Sequence, residues 1–207
     1  MVPPPREHSA PDSVPLSTVK NCSTGDLGSC DQYGSRLELL EGACYLVKEP
    51  KPQLSYRVYR ELVRQGTPGL CITRVYPNLA REKFGLEDGR VVWLADAPAE
   101  DVMRPNAIVN LSKAIEVFLG EHPDGGVVLL DGLEFLILRN GYDAVLQFVE
   151  HLSELVVRGR GIVLIPLSPA TLDRKEVARV ERDLEVADTE AWRAELDARE
   201  WSRRLGG

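Results

Sequence analysis

Gly126-Val127-Val128-Leu129-Leu130-Asp131-Gly132 is the stretch on which the fold turns. Its four apolar residues run without alternation, so a strand made from them is covered on both faces. Four other runs read the same way: Ala43-Cys44-Tyr45-Leu46-Val47, Leu70-Cys71-Ile72-Thr73-Arg74-Val75, Val91-Val92-Trp93-Leu94-Ala95 and Ile162-Val163-Leu164-Ile165-Pro166.

Between these strands the apolar residues recur at helical spacing. Leu54, Val58, Leu62 and Val63 form one stripe, ended by Gly66 and Pro68-Gly69. A short helix is expected over Leu79 to Phe84, and Ala97 to Pro105 reads as a loop. Ile108, Leu111, Ile115, Phe118 and Leu119 form a second stripe, stopped by Pro123-Asp124-Gly125-Gly126. A third comprises Val145, Phe148, Leu152, Leu155 and Val156, closed by Gly159 and Gly161. A charged helix begins near Asp173, with Glu176 three residues on as a loose capping box. Strands alternating with helices in this way predict an α/β protein. Right-handed crossovers then give three α/β/α layers around a mostly parallel sheet of about five or more strands.

Residues 1–35 are rich in Pro, Ser, Gly, Asp and Asn and poor in large apolar side chains. Such a segment cannot bury enough surface to offset its ordering entropy, so it is expected to be a disordered tail. The α/β domain is expected over 36–187, and a charged helix or tail over 188–207. In that last segment Trp192, Leu196, Trp201 and Leu205 lie roughly on one helical face. The face either packs back on the domain or serves a partner or dimer contact. Trp192 and Trp201 are the aromatic candidates for such a contact.

The chain of 207 residues carries 25 basic and 32 acidic side chains, a net charge of −7. This balance disfavours a dedicated nucleic-acid binder, which needs a basic face. There is no apolar run long enough to span a bilayer and no secretory leader, so a cytoplasmic location is expected. Cys44 and Cys71 sit inside strand runs and read as small buried hydrophobes. Cys22 and Cys30 lie too far apart for a structural zinc pair, and no second pair follows, so no metal is expected. His8, His122 and His151 have no nucleophile or carboxylate placed beside them by a motif.

In a parallel sheet, ligands bind outside the carboxyl ends of the strands. The residues there are Lys48 and Glu49, Arg74, Asp96, Asp131 and Glu134, and Ser168. Lys48, Glu49, Arg74, Asp96, Asp131 and Glu134 are the candidate ligand pocket. Asp131 at the end of Gly126–Leu130 has the form of a Walker B carboxylate, which faces magnesium beside phosphate.

From Tyr45 to Leu86 the order of elements, with Arg64-Gln65-Gly66-Thr67-Pro68-Gly69-Leu70-Cys71-Ile72 as the lead into the second strand, resembles the opening of RecA-like ATPases of the KaiC type. A second resemblance runs over Tyr45-Leu-Val-Lys-Glu-Pro50, Thr67-Pro-Gly-Leu-Cys-Ile-Thr-Arg74, Val92-Trp-Leu-Ala-Asp96 and Leu129-Leu-Asp-Gly-Leu-Glu-Phe135. On these, over about residues 44–175, the chain is similar to the archaeal family called domain of unknown function 835. That resemblance implies a RecA-like fold and no defined activity, and its members' association with sensory domains implies signalling.

The chain departs from an active ATPase in two places. A phosphate loop needs glycines, to point backbone amides at phosphate, and a Lys-Ser/Thr pair. Here the place reads Glu49-Pro50-Lys51-Pro52-Gln53-Leu54-Ser55-Tyr56, with no glycine and with two prolines that remove donors. Glu49 is expected to repel phosphate. After the second strand, Val75-Tyr76 stands where KaiC-type enzymes carry paired glutamates. The expectation is therefore a degenerate phosphate loop and a pseudo-ATPase with no catalytic residue and no cofactor. It would serve sensing or protein interaction, with a protein partner or a second copy of itself. The alternatives are a nucleotide-binding or hydrolysing enzyme with an unusual site built on Asp131, Asp96 and Arg74, and a nucleic-acid accessory protein.

Overall fold

The computed structural model describes residues 39–98 and 102–205. The expectations for residues 1–35, including Cys22, Cys30 and His8, lie outside these. Strands β1 (Ala43–Lys48), β2 (Gly69–Thr73), β3 (Arg90–Leu94), β4 (Val102–Met103), β5 (Val127–Asp131), β6 (Ile162–Leu167) and β7 (Glu185–Val186) form one sheet. Their order is β4-β3-β2-β5-β6-β1-β7, and every pairing is parallel. The helices are α1 (Leu54–Arg64), α2 (Pro77–Phe84), α3 (Ile108–Glu121), α4 (Leu133–Asn140), α5 (Tyr142–Gly159), α6 (Arg174–Asp183) and α7 (Thr189–Leu205). This is the expected three-layer α/β/α architecture around a parallel sheet.

Each strand sends alternate side chains to opposite faces, and each face has its own core. Cys44, Leu46, Leu70, Ile72, Val128, Leu130, Val163 and Ile165 face α3, α4, α5 and α6. Tyr45, Val47, Cys71, Val127, Leu129 and Leu164 face α1, α2 and α7. Cys44 and Cys71 are buried, as their strand positions imply. Burial pushes the Cys44 thiol up to about 12, so it stays protonated.

Three elements differ from the sequence expectation. Leu133–Asn140 forms helix α4, an element the apolar pattern does not predict. Its residues Leu-Glu-Phe-Leu-Ile-Leu mix both periods, so local pattern did not separate helix from strand. The segment expected as a loop contains β4, whose two residues pair with Trp93 and Leu94 of β3. The two residues of β7 pair with Tyr45 and Leu46 and close the opposite edge. Strands this short carry no periodicity and are made by their neighbours.

Trp192 corrects a further expectation. It is buried, at 8% exposure, and packs edge-on against Tyr45 with ring centroids 5.2 Å apart. It therefore anchors α7 to the domain and is no interface residue, whereas Trp201 stays 64% exposed. Charge completes the contact between α7 and α1. Arg57 binds Asp197 at 2.6 Å and Glu200 at 3.3 Å. Glu61, buried on α1, binds Arg203 and, at 3.5 Å, Arg199. Burial raises the pKa of Glu61, but Arg203, Gln65 and Arg199 outweigh it and hold the carboxyl below its usual range.

Candidate functional site

Helices α1, α2 and α7 cover one face of the sheet and α3 to α6 the other. Adjacent strands whose outgoing loops turn to opposite faces open a crevice at their carboxyl ends. Among the described elements there are two such places. At one, β1 leads to α1 while its neighbour β6 leads to α6. At the other, β2 leads to α2 while its neighbour β5 leads to α4.

The first crevice is filled by the protein's own carboxylate. The Glu49 amide donates to Leu167 O at 3.1 Å, extending the β1–β6 ladder by one residue. This aims the Glu49 side chain at the start of α1. Glu49 Oε2 accepts from the amides of Gln53, at 2.9 Å, and Leu54, at 2.8 Å. Its Oε1 accepts from the Ser55 amide at 3.1 Å and the Ser55 hydroxyl at 2.5 Å. Glu49 is 2% exposed and Ser55 is fully buried. The first amides of a helix have no intrahelical acceptor, and the helix dipole favours an anion there. These features draw phosphate to helix N-termini in nucleotide-binding proteins. Glu49, expected to repel phosphate, places its own carboxylate on these amides.

Asp131 is held from the same helix. Tyr56 Oη lies 2.7 Å from Asp131 Oδ2 and 2.7 Å from Thr73 Oγ1. Thr73 Oγ1 lies 3.1 Å from the same carboxylate oxygen and accepts from the Val75 amide at 3.1 Å. Tyr56 is 1% exposed, and its ring stacks on Phe84 with centroids 3.6 Å apart. A phenol and a threonine hydroxyl thus stand against the carboxylate. Burial raises the pKa of Asp131. The Tyr56 and Thr73 hydrogen bonds oppose that rise, Glu134 adds to it, and Arg74 opposes it.

The other expected site residues separate into distinct contacts. Lys48 turns away to bind Glu181 of α6 at 2.8 Å. Glu134 accepts from the Ser168 amide at 2.9 Å and ties the end of β5 to that of β6. Asp96 pairs with Arg139 of α4. The Arg74 guanidinium lies over the Phe135 ring, 4.2 Å from its centroid. Gly132, at φ 138°, makes the turn between Asp131 and α4. A Cβ there would come 3.1 Å from both Arg74 Cγ and Leu94 Cδ2. Of the six, only Arg74, Asp131 and Glu134 act on one another. Tyr56 and Thr73 join Asp131 although the sequence reading gave neither a role there. Tyr56 closes the Glu49–Tyr56 stretch compared with a phosphate loop, and that place is the signal that points to it.

Among the described residues no group of three His, Cys, Asp or Glu side chains could hold a metal ion. His151 is exposed on α5, and His122 ends α3 with its ring 4.8 Å from that of Phe118. No described helix is long and apolar enough to cross a membrane. A cleft of about 1070 Å³ opens at the amino-terminal edge of the sheet, among Leu40, Thr67, Asp124, Gly126 and Arg160. It lies away from both crevices.

Among solved structures, the chain is similar to a KaiC-like protein from the hyperthermophilic archaeon Pyrococcus horikoshii OT3. The two share 13% identity with a TM-score of 0.47, over 66% of this chain and 68% of the other. The curated proteins contain no match to it. A family model described as "Protein of unknown function (DUF835)" matches residues 48–184, and the chain belongs to that family.

Proposed function

We propose that this protein is a non-catalytic, RecA-like module for sensing or protein interaction, with a regulatory role. The observation that carries the proposal is the Glu49 carboxylate on the amides of Gln53, Leu54 and Ser55. A nucleotide's phosphate would have to displace a buried anion bonded to those donors. It would then meet two prolines, Pro50 and Pro52, in place of the amides that curl around a triphosphate. Phosphoryl transfer depends on positioning and on charge stabilisation. This loop supplies neither, and Tyr56 occupies the hydroxyl side of Asp131.

Calorimetry with ATP or GTP and magnesium tests the proposal. It predicts no saturable heat at micromolar nucleotide. Saturable binding lost in Asp131→Ala would instead support an enzyme with an unusual phosphate site.

A further inference from the structure

Helix α7 carries two faces at helical spacing, and the domain uses one of them. Trp192, Leu196, Arg199 and Arg203 turn toward the domain: the first two are buried, and the two arginines bind Glu61 of α1. Ala191, Ala194, Ala198, Trp201 and Leu205 follow one another at intervals of three, four, three and four residues, and all five are exposed. At helical pitch they line up as one stripe, on the side away from the docked face. Alternating intervals of three and four are the spacing of a seam between two helices. The stripe is graded along its length, with alanines in the first half and a large indole and a leucine at the end. The charges around it divide into used and unused ones. Glu195 is bound by Arg199, Asp197 by Arg57, Glu200 by Arg57 and Arg60, and Arg203 by Glu61. Glu190, Arg193 and Arg204 make no ion pair among the described residues. Of these, Glu190 and Arg204 border the stripe on the same side, one at each end.

From this arrangement we infer that the exposed stripe of α7 pairs antiparallel with α7 of a second copy of this chain. Two gradings, one of size and one of charge, select that occupant and that direction. In the antiparallel pair Trp201 and Leu205 of each copy lie over the alanines of the other, so large side chains fill the space left by small ones. Glu190 of each copy then stands by Arg204 of the other, an attraction made twice about the two-fold axis. A parallel pair would set indole against indole, leave alanine facing alanine across a gap, and oppose like charges at both ends. Asp197, near the axis, brings no bare charge, because Arg57 binds it at 2.6 Å. One helix face thus complements itself in shape and in charge, which is the condition for an isologous contact. The inference is independent of whether the Glu49 end of α1 admits a nucleotide.

Sedimentation velocity of the full chain over a range of concentrations tests it. A seam one 17-residue helix long, about 25 Å, lies at the small end of specific interfaces. The dimer is therefore expected to fill between about 1 and about 500 μM chain. Trp201→Glu should remain a monomer over the whole range. Glu190→Arg and Arg204→Glu should each weaken dimerisation about fivefold, since each reversal spoils two symmetry-related pairs. Both reversals in one chain restore the antiparallel pairs with their signs exchanged, so the double variant should dimerise like the wild type. Circular dichroism in dilute solution, where the chain is monomeric, checks that each variant is folded. Three results would overturn the inference: a wild-type chain that stays monomeric throughout, a dimer that Trp201→Glu leaves intact, or a double variant no better than the single reversals.

Discussion

Glu49 and Asp131 are two buried or half-buried carboxylates held by different partners. Glu49 has four donors on its two oxygens, so its charge is matched. Glu49→Ala leaves three helix-end amides without that acceptor, and an unsatisfied buried donor costs about 1–3 kcal/mol. We expect a loss of that size in denaturant unfolding. Added sulfate should recover more stability in the variant than in the wild-type chain, because it can occupy the vacated helix end. Unchanged stability in Glu49→Ala would count against the internal anion. The pKa of Asp131 is raised, mainly by burial. A carboxyl with a raised native pKa stabilises the fold when protonated. That contribution is fully present below the unfolded value of about 4 and is lost as pH rises through the native value. Asp131→Asn keeps an oxygen for Tyr56 and Thr73 without the buried charge. Its melting temperature should exceed the wild-type value at pH 7, and the gap should close as pH falls toward 4. A gap that is constant with pH would contradict the shift.

Helix α7 shows what one sequence stripe can and cannot decide. Trp192, Leu196, Trp201 and Leu205 repeat at helical spacing, yet the first pair is buried and the second exposed. Spacing gives a shared face, but the length of the surface beneath it decides how much is covered. Removing a large buried aromatic costs about 3–5 kcal/mol, whereas exposed positions usually change stability by about 0.5 kcal/mol or less. Trp192→Ala should therefore lower the unfolding free energy by that larger amount, and Trp201→Ala should scarcely move it. Equal effects would mean that α7 docks differently. At the start of α6 the local signal was sufficient. Asp173 Oδ1 accepts from the amides of Lys175 and Glu176, and Glu176 Oε2 accepts from that of Asp173. A capping box lies within four residues and is legible in sequence. Helix α4, bracketed by Gly132 and Gly141, was not, because its long apolar run matches a buried strand as well as a helix.

Across the whole molecule, the five long strands and the alternation of layers follow from uninterrupted apolar runs separated by helical stripes. These are properties of single segments. The order β4-β3-β2-β5-β6-β1-β7 and its two crevices are properties of the assembled sheet. That is why six residues expected in one pocket fall into separate contacts. The residue types at the strand ends were legible; the direction of Glu49, the approach of Tyr56 to Asp131 and the stacking of Arg74 on Phe135 depended on neighbours 6, 75 and 61 positions away or nearer. The amino-terminal end of α1 is already occupied from within, by the Glu49 carboxylate. Amide chemical shifts of Gln53, Leu54 and Ser55, followed while magnesium and ATP are added, test it most directly. The account predicts that these three resonances stay in place through millimolar nucleotide; a saturable shift of them, with release of the Glu49 carboxylate, would contradict it.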